Sequence, residues 1–361
     1  MNEHNMKTTE TAEPYRRKGR LKADTVLLAH GSGGKAMRDL IDDVFVAEFD
    51  NPAMGDMEDQ ARLGLSEMQA LGDRLAFTTD SFVVDPLFFP GGDIGKLAIY
   101  GTVNDLAVGG AKPLYLTCSM IIEEGLEIDV LRRVVSSMRA AADEAGVSIV
   151  TGDTKVVQRG ACDKLFINTA GVGVIPAGRE IAARQVRPGD KLLVNGVLGD
   201  HGAAILNARG DMALTSPVMS DCKALNGLIE TLVAAAPNTR SLRDATRGGL
   251  ASAVNEVAAS ASVGVIMTED DIPLRPEVRG FCEILGLDPL YLANEGTLIA
   301  FVAPEEADAA LAAMRNHEAG REAAIIGEAR SQQPGRVVMK SGFGGERIVD
   351  MLVGDQLPRI C

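Results

Sequence analysis

Tryptophan is absent from these 361 residues, and aromatic residues of all kinds reach only 4%. No two of the five cysteines form a CxxC pair. They stand alone at 118, 162, 222, 282 and 361, which argues against a disulfide framework or a cysteine-built zinc site. Cys118, Cys162, Cys222 and Cys282 read as reduced, buried or half-buried fillers. No apolar run approaches the roughly 20 residues of a membrane span, and residues 1–22 are polar and mixed in charge rather than signal-like. A cytoplasmic protein with no membrane contact and a flexible extension at 1–22 is the expectation. Positive charge is also short: 36 Lys and Arg stand against 50 Asp and Glu, a formal net charge of −14 at pH 7. That balance argues against a nucleic-acid binder, which runs on clustered Lys and Arg. An acidic chain that holds phosphates would do so through Mg²⁺ bridging its carboxylates.

Core material is plentiful, with 46% hydrophobic residues, and the length suggests two domains. Residues 25–29 read as an apolar strand ending at His30-Gly31-Ser32-Gly33-Gly34. Met37, Leu40, Ile41, Val44 and Phe45 then recur at helical spacing. A strand over 75–79 stops at Asp80, and an all-round apolar helix over 95–108 ends at Gly109-Gly110. An amphipathic helix over 130–145 ends at Gly146. Strands over 147–151 and 165–175 follow, the first running into Gly152-Asp153. The prolines and charges of 176–190 mark a boundary between an N-terminal domain at 23–180 and a second α+β unit at 181–330. In the second unit the pattern predicts strands over 191–195 and 298–302 and helices over 249–261 and 305–314. A further helix opens on Ser216 and Pro217. Residues 331–361 form a terminal segment with one short strand-like run and a mobile tail.

Gly31 and Gly33 open a helix in a loose GxGxxA pattern, but Glu48 lies inside that helix and no acidic strand end follows where a dinucleotide fold needs one. The Walker spacing fails too. Two readings stay open for the loop: an anion receptor of backbone N–H groups, or a plain turn. The aspartates say more. Asp59, Asp80, Asp105 and Asp153 each sit in a short polar motif, and Asp105 lies inside an otherwise apolar helix. A carboxylate there costs several kcal/mol unless paired or bound to metal. Mg²⁺ with nucleotide phosphates would account for the whole set. Lys155, two residues past Asp153, shares its face on an extended segment and suits a phosphate clamp or a proton-transfer role. Asn294-Glu295-Gly296 precedes an apolar strand. His30 and His201 flank glycine turns without metal-ligand spacing.

The chain ends on a thiol. Cys361 follows Gly354 and Pro358, so its approach is built for motion, as a carrier of a reactive one-carbon or acyl group requires. Arg359 lowers the thiol pKa while the adjacent α-carboxylate raises it, so activation has to come from a docked site. The opposing reading is a stray cysteine on a frayed tail.

The motifs His30-Gly31-Ser32-Gly33-Gly34, Thr79-Asp80-Ser81, Gly101-Thr102-Val103-Asn104-Asp105-Leu106-Ala107, Thr151-Gly152-Asp153-Thr154-Lys155, Arg243-Asp244-Ala245-Thr246-Arg247-Gly248-Gly249, Asn294-Glu295-Gly296 and Pro358-Arg359-Ile360-Cys361 together resemble an ATP-binding family. It includes aminoimidazole ribonucleotide synthetase, thiamine monophosphate kinase and selenophosphate synthetase. Within it they resemble the HypE branch of hydrogenase maturation factors, which the terminal cysteine sets apart. Selenophosphate synthetase would want Cys or selenocysteine in the early glycine loop, and none is there. The resemblance implies a two-domain α+β fold of the aminoimidazole ribonucleotide synthetase type and a homodimer whose paired sheets form a central barrel. It implies ATP near Gly31, Gly33, Asn104, Asp105, Asp153 and Asp244, and Mg²⁺ on Asp59, Asp80, Asp105 and Asp153. It further implies that a carbamoyltransferase, HypF, loads a carboxamide onto Cys361, which ATP-driven dehydration converts to a thiocyanate. The cyanide then passes to iron held by a HypC–HypD complex, for nickel–iron hydrogenase. Glu295 and Lys155 are both open as the base. The alternative from the same fold is a small-molecule kinase or ligase with an incidental Cys361.

Overall fold

Two sheets, each faced by helices, carry the chain in a computed structural model that describes residues 20–54, 58–210, 216–352, 354, 357 and 359–361. Most of the extension expected at 1–22, and Pro358 of the tail, lie outside the described residues. The first sheet has the order β1-β4-β2-β3, with β1 at Arg74–Phe82, β2 at Lys112–Glu123, β3 at Ser148–Val157 and β4 at Leu165–Ile175. Its pairings are antiparallel except β2 with β3. Helix α1, Ile94–Val108, covers one face, with α2, Ile128–Ala145, packed behind it. Because α1 also touches the second unit, nearly every residue on it is buried, which is why it reads as apolar all round. Alpha2 meets solvent on one side and keeps an amphipathic pattern. It stops at Gly146, whose φ of 72° is the left-handed cap that glycine favours.

The second sheet has seven strands in the order β11-β10-β7-β9-β5-β8-β6. They are β5 at Lys191–Val194, β6 at Thr239–Asp244, β7 at Gly264–Thr268, β8 at Leu298–Val302, β9 at Ala324–Arg330, β10 at Val337–Lys340 and β11 at Glu346–Val349. Beta8 lies between β5 and β6 with all five residues buried, so its sequence is a continuous apolar run rather than an alternation. Helix α3, Gly249–Ala261, packs on this sheet. Leu116, Ile122, Leu131 and Met138 are fully buried in the first core. Truncating one of them, Leu131→Ala for instance, costs about 2–5 kcal/mol.

Several expectations need correction. Residues 25–29 form no strand: Thr25 makes one isolated bridge to Glu127, and the chain turns into a 3₁₀ helix at Leu28–Gly31. Strand β1 does not stop at Asp80, because pairing with β4 carries it to Phe82, and β3 likewise runs past Asp153 to Val157. Ser216 and Pro217 open no helix. The side chain of Asn207 takes both the amide and the carbonyl of Ser216, at 3.1 and 3.2 Å, and the helix waits until Asn226–Ala235. Two strands, β10 and β11, stand where one strand-like run was expected, joined through a turn at 341–345. Among the described residues no helix is long and apolar enough to cross a membrane.

Candidate functional site

Between β1 and α1 of the first unit and the end of β6 and α3 of the second, a cavity of about 320 Å³ is lined by Asp80, Asp105, Asp244, Arg247, Glu295 and Cys361. Asp80 projects from β1 toward α1, since its strand partner Thr169 hydrogen-bonds the carbonyl of Ala98 on that helix. Gly101, one turn before Asp105, lets the helix approach: a Cβ there would meet the Phe82 ring at 2.9 Å. Asp105 accepts from the Thr78 hydroxyl at 2.8 Å. Burial and the nearby Asp244 carboxylate push its pKa up to about 6. Asp244 ends β6 and is likewise raised, chiefly by burial. The cavity is an acidic site short of positive charge.

Glu295 completes it from the turn before β8. The residue is 4% exposed, and its Oε1 has no hydrogen-bond partner. Burial first, and then Asp221, Asp244 and Asp80, hold its carboxyl well above the usual range. The turn itself is clamped. Asp221 accepts the amides of Glu295 and Gly296 at 2.9 Å each and the hydroxyl of Thr297 at 2.8 Å. Only glycine fits at 296, since a Cβ would lie 1.9 Å from the Asp221 carbonyl oxygen. Asn294 ties the same turn to the Ala245 carbonyl at 2.8 Å and the Gly199 amide at 2.7 Å.

Cys361 reaches this cavity because the tail docks on its own chain. Ile360 is buried in the first core, and Cys361 packs half-buried beside it. Arg359 reaches Asp163 at 2.8 Å. A second cavity of about 490 Å³, lined by Leu357, Arg359, Ile360 and Cys361 with Arg247 and Tyr291, follows the tail inward.

The other expected residues lie elsewhere. Asp153 and Lys155 share a face of β3 and pair at 3.0 Å, as their spacing predicts. That strand is three inter-strand spacings from β1, which separates Asp80 from Asp153 by roughly 14 Å. They also point to opposite faces, because Asp153 shares its cross-strand row with Ser119, Asn168 and Ser81 rather than with Asp80. Asp153 instead borders an apolar cavity of about 160 Å³ beneath the helix that follows the glycine loop, with Met37, Phe45 and Ile149 in its wall and Glu58 and Gln60 at the rim. Asp59, between those two, is exposed. Gly31 packs against Val156 of β3, while Gly33 turns with a φ of 77°. Asn104 is buried and spends both ends of its amide on the Lys223 carbonyl and the Leu225 amide, at 3.1 and 2.8 Å. Among the described residues no three His, Cys, Asp or Glu side chains converge tightly enough to hold a metal ion alone. Asp80, Asp105 and Asp244, with the unpartnered Glu295 oxygen, surround the cavity without converging, so a divalent cation there would need water and substrate oxygens to complete its ligands.

Sequence reasoning missed Asp221 and Arg209; His201, expected to hydrogen-bond rather than to bind zinc, does so. Arg247 stood inside a quoted motif but was given no function. Asp221 and Arg209 lie in stretches with no motif, and their partners are 74 or more residues away.

Comparison with known proteins identifies the family. Residues 58–175 match the AIR synthase related protein N-terminal domain, and residues 187–340 match its C-terminal domain. Carbamoyl dehydratase HypE of Rhodobacter capsulatus is 62% identical over 341 residues, 94% of this chain and 99% of that protein. A HypE structure solved in complex with ATP superposes with a TM-score of 0.88 at 50% identity, covering 93% of this chain and 99% of that one. HypE in a HypE–HypF complex is 43% identical with a TM-score of 0.75, over 88% of this chain and 100% of that one. With both AIR synthase related domains present and this level of identity along nearly the whole chain, the protein belongs to the HypE carbamoyl dehydratase family.

Proposed function

We propose that this chain dehydrates a carboxamide carried on its own Cys361, at the expense of ATP, to leave a thiocyanate for hydrogenase maturation. The observation that carries the reading is that Cys361, the buried Glu295 and the acids Asp80, Asp105 and Asp244 line one cavity.

The carboxamide oxygen is a poor leaving group. Its attack on the γ-phosphorus of ATP, with ADP departing, converts that oxygen into a phosphate ester. Loss of one N–H proton accompanies phosphorylation; loss of the second drives out phosphate as the C–O bond breaks and the C≡N bond closes. Glu295 is the base beside Cys361, and its raised proton affinity makes its carboxylate more basic than an exposed one. Lys155 stands paired with Asp153 on the far strand, outside this cavity. Asp80, Asp105 and Asp244 would hold Mg²⁺, which when bound neutralises charge on the transferring phosphoryl group. Asp153 and the helix that follows the glycine loop border the apolar cavity, which suits a nucleotide base.

A homodimer fits the open face of the first sheet, where Leu75, Phe77 and Ile121 are exposed without cover; Phe77 is 72% exposed. Pairing that face with a second copy would also bring one copy's Asp153 and Lys155 toward the other. HypF, solved in complex with a HypE of 43% identity, is the proposed donor of the carboxamide, and a HypC–HypD complex holding iron is the proposed acceptor of the cyanide. The setting is cytoplasmic.

The test is mass spectrometry of the C-terminal peptide after incubation with the carbamoyltransferase, carbamoyl phosphate and Mg-ATP. A carbamoyl gain on Cys361, followed by loss of one water, supports the reading. An unmodified Cys361 under conditions where the partner is active overturns it in favour of a soluble substrate.

A further inference from the structure

The backbone oxygens of the last three residues are each held, two by donors from the helix Asp200–Arg209 and the third, on the terminal carboxylate, by the Val83 amide. The carbonyl of Arg359 accepts from Arg209 Nη2 at 2.7 Å, that of Ile360 from His201 Nε2 at 2.8 Å, and the Cys361 oxygen from the Val83 amide at 3.0 Å. All three contacts read backbone and not side chain. Arg209 also donates through Nε to the Asp85 carbonyl at 3.0 Å, so it bridges the tail to the segment that leaves β1.

His201 is the deepest of the three donors. It is fully buried in the helix Asp200–Arg209, with the Phe89 ring edge-on at 5.5 Å. A carbonyl only accepts, so Nε2 carries the proton. Burial lowers the imidazole's proton affinity and outweighs the opposing pull of Asp221, which keeps the ring neutral and Nδ1 bare. The Ser220 hydroxyl, 2.8 Å from Nδ1, therefore donates its single proton to the ring. Ser220 cannot turn away. Its oxygen accepts from the Cys222 amide at 3.1 Å, and its own amide donates to the Pro90 carbonyl at 2.8 Å. Tautomer and ring plane are thus both set, and the free N–H points at the tail. A buried core histidine thus spends its donor on the backbone of the terminal segment rather than on the fold around it.

We propose that His201 and Arg209 form a backbone clamp that sets how deep Cys361 enters the acidic cavity, with His201 a positioning residue for the dehydration. The proposal rests on the reading that Cys361 reacts in that cavity. One neutral bond from His201 and one charge-assisted bond from Arg209 are few enough to hold a tail reversibly, which suits a thiol that must meet a loading partner outside and a base inside.

The experiment measures alkylation of Cys361 by iodoacetamide in the full chain, resolved on the C-terminal peptide, for wild type, His201→Phe, His201→Gln and Arg209→Gln. His201→Phe keeps the ring volume and removes the donor, so Cys361 is expected to react about tenfold faster at a temperature where the variant is folded. His201→Gln retains an N–H donor and is expected near the wild-type rate. On carbamoylated protein the same His201→Phe change lowers the turnover for water loss and leaves the KM for ATP alone. Wild-type alkylation rates in both His201→Phe and Arg209→Gln would overturn the clamp; if His201→Phe does not fold, Arg209→Gln alone decides. Wild-type conversion of carbamoyl to cyano on the same peptide is scored separately. Its absence with faster alkylation in the variants would overturn the dehydratase reading and leave the clamp standing.

Discussion

The carboxylate of Asp221 accepts the backbone N–H groups of Glu295 and Gly296 at 2.9 Å each, so one acid holds the turn that carries another. The two carboxyl groups also feel each other, and Asp221 is the largest charged contributor to the raised proton affinity of Glu295. Asp221→Asn would set an amide donor against backbone donors and leave one of them unpaired. We expect a loss of about 2–4 kcal/mol in denaturant unfolding. The pH profile of dehydration should also move to lower pH, because Glu295 loses a like charge.

Asp105→Asn should act in the opposite sense on stability. Asp105 is raised to about 6 in the folded protein, against about 3.9 for a free carboxyl. A group raised on folding favours the fold below its unfolded pKa and loses that contribution as pH rises through the folded value. Above about pH 6 the wild type carries the cost of a desolvated carboxylate, and Asn removes it while still accepting from Thr78. The variant should be more stable by about 2 kcal/mol at pH 8, with the difference vanishing below about pH 4. Thermal melts across that range check the sign. Its ATP-dependent activity should fall, since the acid that would face the metal is gone.

Glu295→Gln keeps the size of the side chain and removes the base. Carbamoylation of Cys361 by the partner enzyme should proceed as in wild type, and the subsequent loss of water should slow by about 10²–10⁴-fold. Single-turnover mass spectrometry separates the two steps.

The docked tail contacts Val83, His201 and Arg209 of its own chain, so under the proposed function each chain would dehydrate its own Cys361. Mixed Cys361→Ala and Glu295→Gln proteins should therefore not restore dehydration, even when exchanged into hybrid dimers. Cyanation of the Glu295→Gln chain in such a mixture, read on its own C-terminal peptide, would show transfer between chains.

Phe77 lies on the open face of the first sheet and stays largely exposed among the described residues. Phe77→Glu should leave the fold intact and shift the protein from dimer to monomer in light scattering at micromolar concentration.

Much of the fold was legible wherever burial imposes a pattern. Leu165–Ile175, Gly249–Ala261 and Leu298–Val302 have the bounds their patterns predict. The failures arise where distant partners decide. Ser216 has good local cap chemistry, yet Asn207 claims its backbone. Beta1 continues through Asp80 because β4 pairs with it there. In the site, the cost of a carboxylate in an apolar helix pointed to Asp105, and the spacing of Asp153 and Lys155 placed them on one face. Strand order then divides the acids: β1 and β3 take opposite edges of the sheet, and no local pattern encodes that order. Asp221 left no trace in the sequence, since its role depends on a turn 74 residues away.

The most direct measurement follows the oxygen. Cys361 would be loaded with a carboxamide bearing heavy oxygen and given Mg-ATP in a single turnover, and the isotope would be traced. Phosphorylation of the amide oxygen at this site predicts that the label appears in inorganic phosphate as the terminal peptide gains its cyano group, and in wild type but not in Glu295→Gln. Label recovered in water, or kept on Cys361 while ATP is consumed, would contradict the account.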